Sequence, residues 1–233
     1  DTRSGDERIT ILAEPYGRQH TEHKADFLCC RHALEHMADP VGFLSIVRAN
    51  IDDERECTVF FEVPNVLFTL RYLGIWDIIY EHCSLFTKYS LATLFANAGF
   101  EVTDIRTTFG GQYLCIEAKP VQKQTPANQR WNDPAEISGD IRLFAQRYRE
   151  KTAEEQNLLV KMSADGQKIV IWGSGSKGIT FLNMLPAAEE IKYAIDINPR
   201  KQGMYITGAG QKIVPPELLA DYRPDVIIVM NPL

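Results

Sequence analysis

Up to Pro120 the chain alternates short apolar runs with longer stretches whose apolar positions recur every three or four residues, the pattern of an α/β sheet. The short runs predict strands at Ile9–Ala13, Asp26–Cys30, Thr58–Val63, Phe100–Thr107 and Gln112–Ala118. Helices are predicted between them at Pro40–Asn50 and Lys88–Ala98; the second carries Leu91, Leu94, Phe95 and Ala98 at helical spacing and then Gly99 as a C-terminal stop. Only Thr108-Phe109-Gly110-Gly111 separates the last two strands, so they must form an antiparallel hairpin.

Residues 121–165 change character. Thr125-Pro126-Ala127-Asn128-Gln129 reads as a linker, and Ile137–Met162 as a charged, amphipathic helical bridge. A new unit then opens with a strand at Lys168–Trp172, a glycine turn Gly173-Ser174-Gly175-Ser176-Lys177-Gly178, a helix to Leu185, and strands at Lys192–Ile197 and Asp225–Met230. This is a βαβ pattern of Rossmann type. The expected organisation is a first α/β domain over 1–120, a helical linker over 121–165 and a smaller Rossmann-like domain over 166–233, with both sheets incomplete.

With 45% hydrophobic and 24% charged residues, 233 residues have ordinary soluble composition. No apolar run approaches the roughly 20 residues of a membrane span, and residues 1–30 lack the blocks of a signal peptide, so a cytoplasmic location is expected. A net charge of -6 argues against nucleic acid as a partner. Five cysteines, most of them in apolar runs, predict no disulfide framework. His20, His23, Cys29 and Cys30 are poorly spaced for zinc, because adjacent strand residues point to opposite faces; no metal is expected there.

Several segments together resemble a known family. Asp26-Phe27-Leu28-Cys29-Cys30-Arg31-His32-Ala33-Leu34-Glu35-His36 with Asp39-Pro40 resembles the fourth strand and following loop of class I methyltransferases. Tyr80-Glu81-His82-Cys83-Ser84-Leu85-Phe86-Thr87, then Ala98-Gly99-Phe100-Glu101-Val102, resembles the insertion and helix after their fifth strand. With the glycine turn, Asp196-Ile197-Asn198-Pro199 and Lys201-Gln202-Gly203, nearly the whole chain is similar to the C-methyltransferases that act on nucleotide-linked deoxysugars. The resemblance implies S-adenosylmethionine as methyl donor. A glycine-rich first turn and the acidic residue ending strand two have no counterpart here, so the main cofactor turn is expected upstream of residue 1, as is the zinc module of the family. The chain opens on Asp1 rather than Met, which trimming or disorder explains equally well.

Methylating a carbon beside a ketone needs a base and a donor to the developing oxyanion. The resemblance places Glu81 and His82 at the substrate. His82 is the candidate base, Glu81 its orienting partner or a sugar-hydroxyl ligand, and Tyr80 the oxyanion donor; without the resemblance these three form a solvated polar turn. His32 and Arg31 fall where the cofactor and reacting carbon meet, with His36 as a capping or packing group and Arg31 alternatively a surface ion pair. In the second domain, Gly173, Gly175, Lys177, Gly178, Asp196 and Asn231 are candidates to bind the nucleotide of the substrate; tight strand-to-helix packing is the other use of such a turn. The resemblance points to a small-molecule nucleotide-sugar as partner. A nucleotide sensor on a degenerate methyltransferase scaffold and a NAD-dependent oxidoreductase are the alternatives. The oxidoreductase leaves Glu81-His82 and the closing hairpin unexplained.

Overall fold

The computed structural model describes residues 8–52, 56–122 and 134–230. In chain order the elements are β1 (Phe27–Arg31), α1 (Pro40–Asn50), β2 (Thr58–Pro64), α2 (Val66–Tyr72), α3 (Lys88–Asn97), β3 (Phe100–Thr108), β4 (Tyr113–Pro120), α4 (Pro134–Ala164), β5 (Ile169–Trp172), α5 (Ser176–Met184), β6 (Tyr193–Ile195), β7 (Lys212–Val214), α6 (Leu218–Tyr222) and β8 (Val226–Val229). They form two compact units: Asp1–Asn65 with Ser84–Asn132, and Val66–Cys83 with Asp133–Leu233. The division is not a single cut of the chain, because 66–83, lying between β2 and α3 in sequence, belongs to the second unit.

The first unit is a four-stranded sheet in the order β1-β2-β4-β3. β1 and β2 run parallel, with Arg31 opposite Glu62, while β4 is antiparallel to both β2 and β3. Val59, Phe61 and Val63 of β2, Leu114 and Ile116 of β4, and Leu44, Val47, Leu91 and Phe95 of α1 and α3 are fully buried in one core. Phe61 meets Phe95 edge-on at 5.2 Å between ring centroids, a geometry that adds to area burial.

Local chemistry sets the helix ends. The Asp39 side chain accepts from Gly42 N at 2.8 Å ahead of Pro40, satisfying an orphan donor of α1. Thr87 and Ser90 cap α3 reciprocally, Thr87 Oγ1 accepting from Ser90 N at 3.1 Å and Ser90 Oγ from Thr87 N at 2.9 Å. Gly99 stops α3 at φ +86°. The hairpin turn carries positive φ at Phe109, Gly110 and Gly111, two of them glycines.

Ile9–Ala13 forms no strand. Ile9, Ile11 and Leu12 are about half exposed; an apolar run becomes a strand only where a neighbouring strand takes its backbone hydrogen bonds, and none of the described strands does so.

The second unit is an all-parallel sheet in the order β7-β6-β5-β8. The chain starts at β5, steps outward through β6 and β7, and returns to β8 on the other side of β5. That reversal is the switch point of a doubly wound fold, where ligands collect beyond the carboxyl ends of the strands. Ile169, Ile171, Phe181, Leu182, Leu185, Ile191, Ala194 and Ile213 fill the core on one face. The 66–83 segment joins this unit through Trp76, edge-on to Phe181 at 4.9 Å, and through α2, whose Arg71 Nε donates to Asp140 of α4 at 2.8 Å.

Candidate active site

In the first unit the candidate side chains Arg31 and His32 gather at the carboxyl ends of β1 and β2 around Glu62, whose side chain is 5% exposed. Arg31 donates to its Oε1 twice, from Nη2 at 2.8 Å and Nε at 3.1 Å. His32 Nε2 lies 2.9 Å from the same oxygen, and the Cys115 thiol donates to Oε2 at 3.3 Å. Burial pushes the Glu62 carboxyl upward, but hydrogen bonds from Arg31 and Cys115 and the charges of Arg31 and His32 hold it below the usual carboxylate range. The same hydrogen bond raises Arg31, so the guanidinium stays charged.

His32 is doubly fixed. It adopts a left-handed φ of +51°, uncommon for a residue with a Cβ, and its backbone N–H donates to Glu62 O at 3.0 Å. Its ring packs edge-on against Tyr113 at 4.8 Å. Its Nδ1 lies 3.7 Å from Glu35 Oε1. The Glu35 side chain is buried, and its Oε2 has no hydrogen-bonding partner among the described residues. Such an orphaned buried oxygen is the kind of group a bound ligand satisfies. His36 is exposed at the end of the short turn Leu34–His36.

Tyr80, Glu81 and His82 fall in the second unit. Tyr80 is 96% exposed, Glu81 is exposed, and His82 is half-buried with its backbone N–H donating to Ile79 O at 3.1 Å. Tyr80 and Glu81 line a pocket of about 510 Å³ together with Ser176 and Thr180 of α5.

The glycine turn follows β5 and opens α5, as expected. Gly173 has φ +111°, and a Cβ on Gly178 would lie 2.1 Å from Gly173 O. Gly178 is therefore required for the helix to approach the turn; Gly175 faces open space. Asp196, just past β6, is already engaged. Ser174 Oγ–H donates to it in a short hydrogen bond, Asn198 N donates at 2.9 Å, and Lys201 Nζ lies at 3.3 Å. Burial alone would raise the Asp196 carboxyl, yet Ser174, Asn198 and Lys201 hold it below the usual range. Lys177 forms an ion pair with Asp77 at 3.1 Å, and Gln202 Nε2 donates to Asp196 O at 3.0 Å. Asn231 lies outside the described residues.

The structure thus brings Arg31 and His32 together in the first unit, and Tyr80, Glu81, Gly173, Gly175, Lys177, Gly178 and Asp196 within the second. Glu62 and Glu35 are missed by sequence reasoning. Glu62 is detectable only through its register opposite Arg31. Glu35 sits inside the His-x-x-Glu-His segment, but nothing in its neighbours announces burial.

A parallel strand pair closed by an antiparallel hairpin, followed by a Rossmann-type unit, is the architecture of a class I methyltransferase sheet joined to a second α/β domain. Residues 4–105 match a family model described as a methyltransferase domain, and residues 136–232 match the C-methyltransferase C-terminal domain. The chain is similar to C-methyltransferase NovU of Streptomyces niveus, with 28% identity over 182 residues, covering 73% of this chain and 43% of NovU. It spans less than half the length of that relative. The two matches each cover less than half of the chain and stand in the order methyltransferase domain, then C-methyltransferase C-terminal domain, which together with NovU supports a C-methyltransferase.

Among the described residues, no helix is long and apolar enough to cross a membrane.

Proposed function

We propose that the protein takes part in S-adenosylmethionine-dependent methyl transfer to a carbon of a nucleotide-linked keto-deoxysugar. The observation that carries this reading is the pairing of a methyltransferase domain with the C-terminal domain of C-methyltransferases. The cofactor, when bound, supplies an electrophilic methyl group.

The chain's own residues supply the rest. His82 removes the proton from the carbon beside the ketone, and Glu81 orients its ring or receives a sugar hydroxyl. The Tyr80 hydroxyl donates to the oxygen on which negative charge develops. Arg31 and His32, at the carboxyl end of β1, stand where an open α/β sheet meets its ligands and would hold the charged end of the cofactor. Glu62 keeps both side chains in place. Asp196 and the glycine turn support the nucleotide side of the substrate through the shape of the crevice, since Asp196 and Lys177 already have partners.

The test is His82→Ala in the full-length protein, assayed with isotopically labelled methyl donor and a nucleotide-linked keto-deoxysugar. Loss of turnover by about 10²-fold or more is expected, the usual contribution of a positioned general base. Near-normal turnover removes His82 from the mechanism.

A further inference from the structure

By its place in the glycine turn, Lys177 is the cation a phosphate would meet, yet its side chain is directed elsewhere. The Lys177 Nζ lies 3.1 Å from Asp77 Oδ1. Asp77 ends the short turn Ile75–Asp77, whose Ile75 is fully buried, and the neighbouring Trp76 meets Phe181 edge-on at 4.9 Å. Lys177 and Phe181 are four residues apart on α5, so they stand one above the other on one face of that helix. Two consecutive residues of the segment are thus held at two points one helical turn apart, Trp76 by packing and Asp77 by charge. A single point of attachment would leave the segment free to swivel; two points fix its direction along α5.

The stretch that follows is the one that gains from a fixed direction. Ile78 N donates to Ile75 O at 3.2 Å and His82 N donates to Ile79 O at 3.1 Å, so two successive tight turns carry the chain from this anchor to Tyr80-Glu81-His82. Tyr80 is 96% exposed and Glu81 is exposed, so packing holds this stretch less firmly than the anchor behind it. Magnitudes decide what the ion pair is for. Its side chains are 34% and 20% exposed, and an ion pair that water reaches contributes little to stability. Misplacing a reacting group by about 1 Å, in contrast, costs about 10²-fold in rate.

We propose that Lys177 is a positioning residue: paired with Asp77, it sets the direction of the 78–82 segment and thereby the placement of His82, and it is not a ligand of the substrate's diphosphate. This rests on the reading of His82 as the base. It gives the lysine of the glycine turn a task on the reacting side of the substrate.

Hydrogen exchange followed by mass spectrometry, and steady-state turnover with S-adenosylmethionine and a nucleotide-linked keto-deoxysugar, test it in the full-length protein with Lys177→Met, Asp77→Asn and the double variant. In each single variant, peptides over 75–83 should exchange about fivefold or more faster while peptides over β5 keep the parent rate, the signature of local rather than global opening. Turnover should fall about tenfold or more in kcat with KM within about twofold of the parent, and the double variant should lose no more than about twofold beyond the worse single variant, because the two residues act as one pair. Parent-like exchange over 75–83, loosening that extends through β5, an undiminished kcat, additive losses, or a KM that rises with Lys177→Met and not with Asp77→Asn, as a phosphate ligand requires, overturns the proposal. If exchange behaves as stated and the parent transfers no methyl, the anchor stands and the proposed function falls; if the parent methylates and the variants match it in exchange and turnover, only this proposal falls.

Discussion

Replacing Gly178 by alanine should destabilise the second unit even though alanine is the better helix former. In α5 the exchange gains about 1 kcal/mol of intrinsic helix propensity. Against this, the new Cβ would lie 2.1 Å from Gly173 O, where ordinary contact begins near 3.4 Å. The obstructing atom is backbone, so the helix must move away from β5 and the turn. Overpacking of that kind costs typically about 1–3 kcal/mol, and a displacement exceeding 1 Å of backbone puts this case at the upper end. The net loss is about 2 kcal/mol, roughly 8 °C in melting temperature at about 4 °C per kcal/mol for a domain near 100 residues.

The assay is thermal unfolding followed by the fluorescence of Trp76 and Trp172, both packed within the second unit. Gly175→Ala is the control. A Cβ there meets nothing within 4 Å, so the smaller cost of alanine at the N-cap is set against the reduced freedom of the unfolded chain. An unchanged or raised melting temperature for Gly178→Ala would refute the close-packing account of this turn.

Further expectations come from titrating groups and caps. Glu62 has a depressed folded pKa, so its stabilising contribution is full above the unfolded carboxyl value of about 4.3 and is lost as pH falls through the folded value. Urea unfolding of Glu62→Gln between pH 3 and 6 should show a shallower acid-side loss of stability than the parent, and an identical slope contradicts the Arg31–Glu62–His32 cluster. Burial, with Glu35 and Cys29 adding, pushes the Cys30 thiol up to about 11; alkylation at pH 8 followed by mass spectrometry should modify the exposed Cys29 and Cys83 well before Cys30. Thr87→Ala, which removes half of the α3 capping box, should cost about 1 kcal/mol in urea unfolding of the first unit.

Elements whose signals are local were legible in the sequence. The α1 helix runs over Pro40–Asn50 as periodicity and Pro40 predict, and the four-residue connection before Gln112 forces the β3–β4 hairpin that the structure contains. Gly99 stops α3 because a left-handed residue is required there. Short or context-dependent elements were not legible: β7 at Lys212–Val214 and α6 at Leu218–Tyr222 are too brief to display a period, and α2 at Val66–Tyr72 directly follows β2 with apolar residues that continue the strand's apolar run. Ile9–Ala13 failed in the opposite direction, an apolar run with no strand beside it.

The candidate site divides along the same line. Arg31, His32 and the Tyr80-Glu81-His82 segment could be chosen from residue type and resemblance. Glu62 could not, because its importance lies in a register partner 31 residues away in sequence. Nor could the packing of residues 66–83 with the second unit, since periodicity identifies which face is buried and says nothing about what buries it. Asp196 and Lys177 were chosen as ligand groups from their positions, but only coordinates reveal that Ser174, Lys201 and Asp77 already engage them.

The most direct measurement is the position of the transferred methyl group. The full-length protein, given a nucleotide-linked keto-deoxysugar and a donor carrying a carbon-13 methyl in deuterated water, should yield a product whose labelled methyl is bonded to ring carbon. In unreacted substrate, solvent deuterium should enter at the same carbon, the one beside the ketone from which the proton is taken, and both signals should vanish in His82→Ala. A labelled methyl on oxygen, or carbon methylation that persists without His82, would contradict base-assisted transfer to carbon.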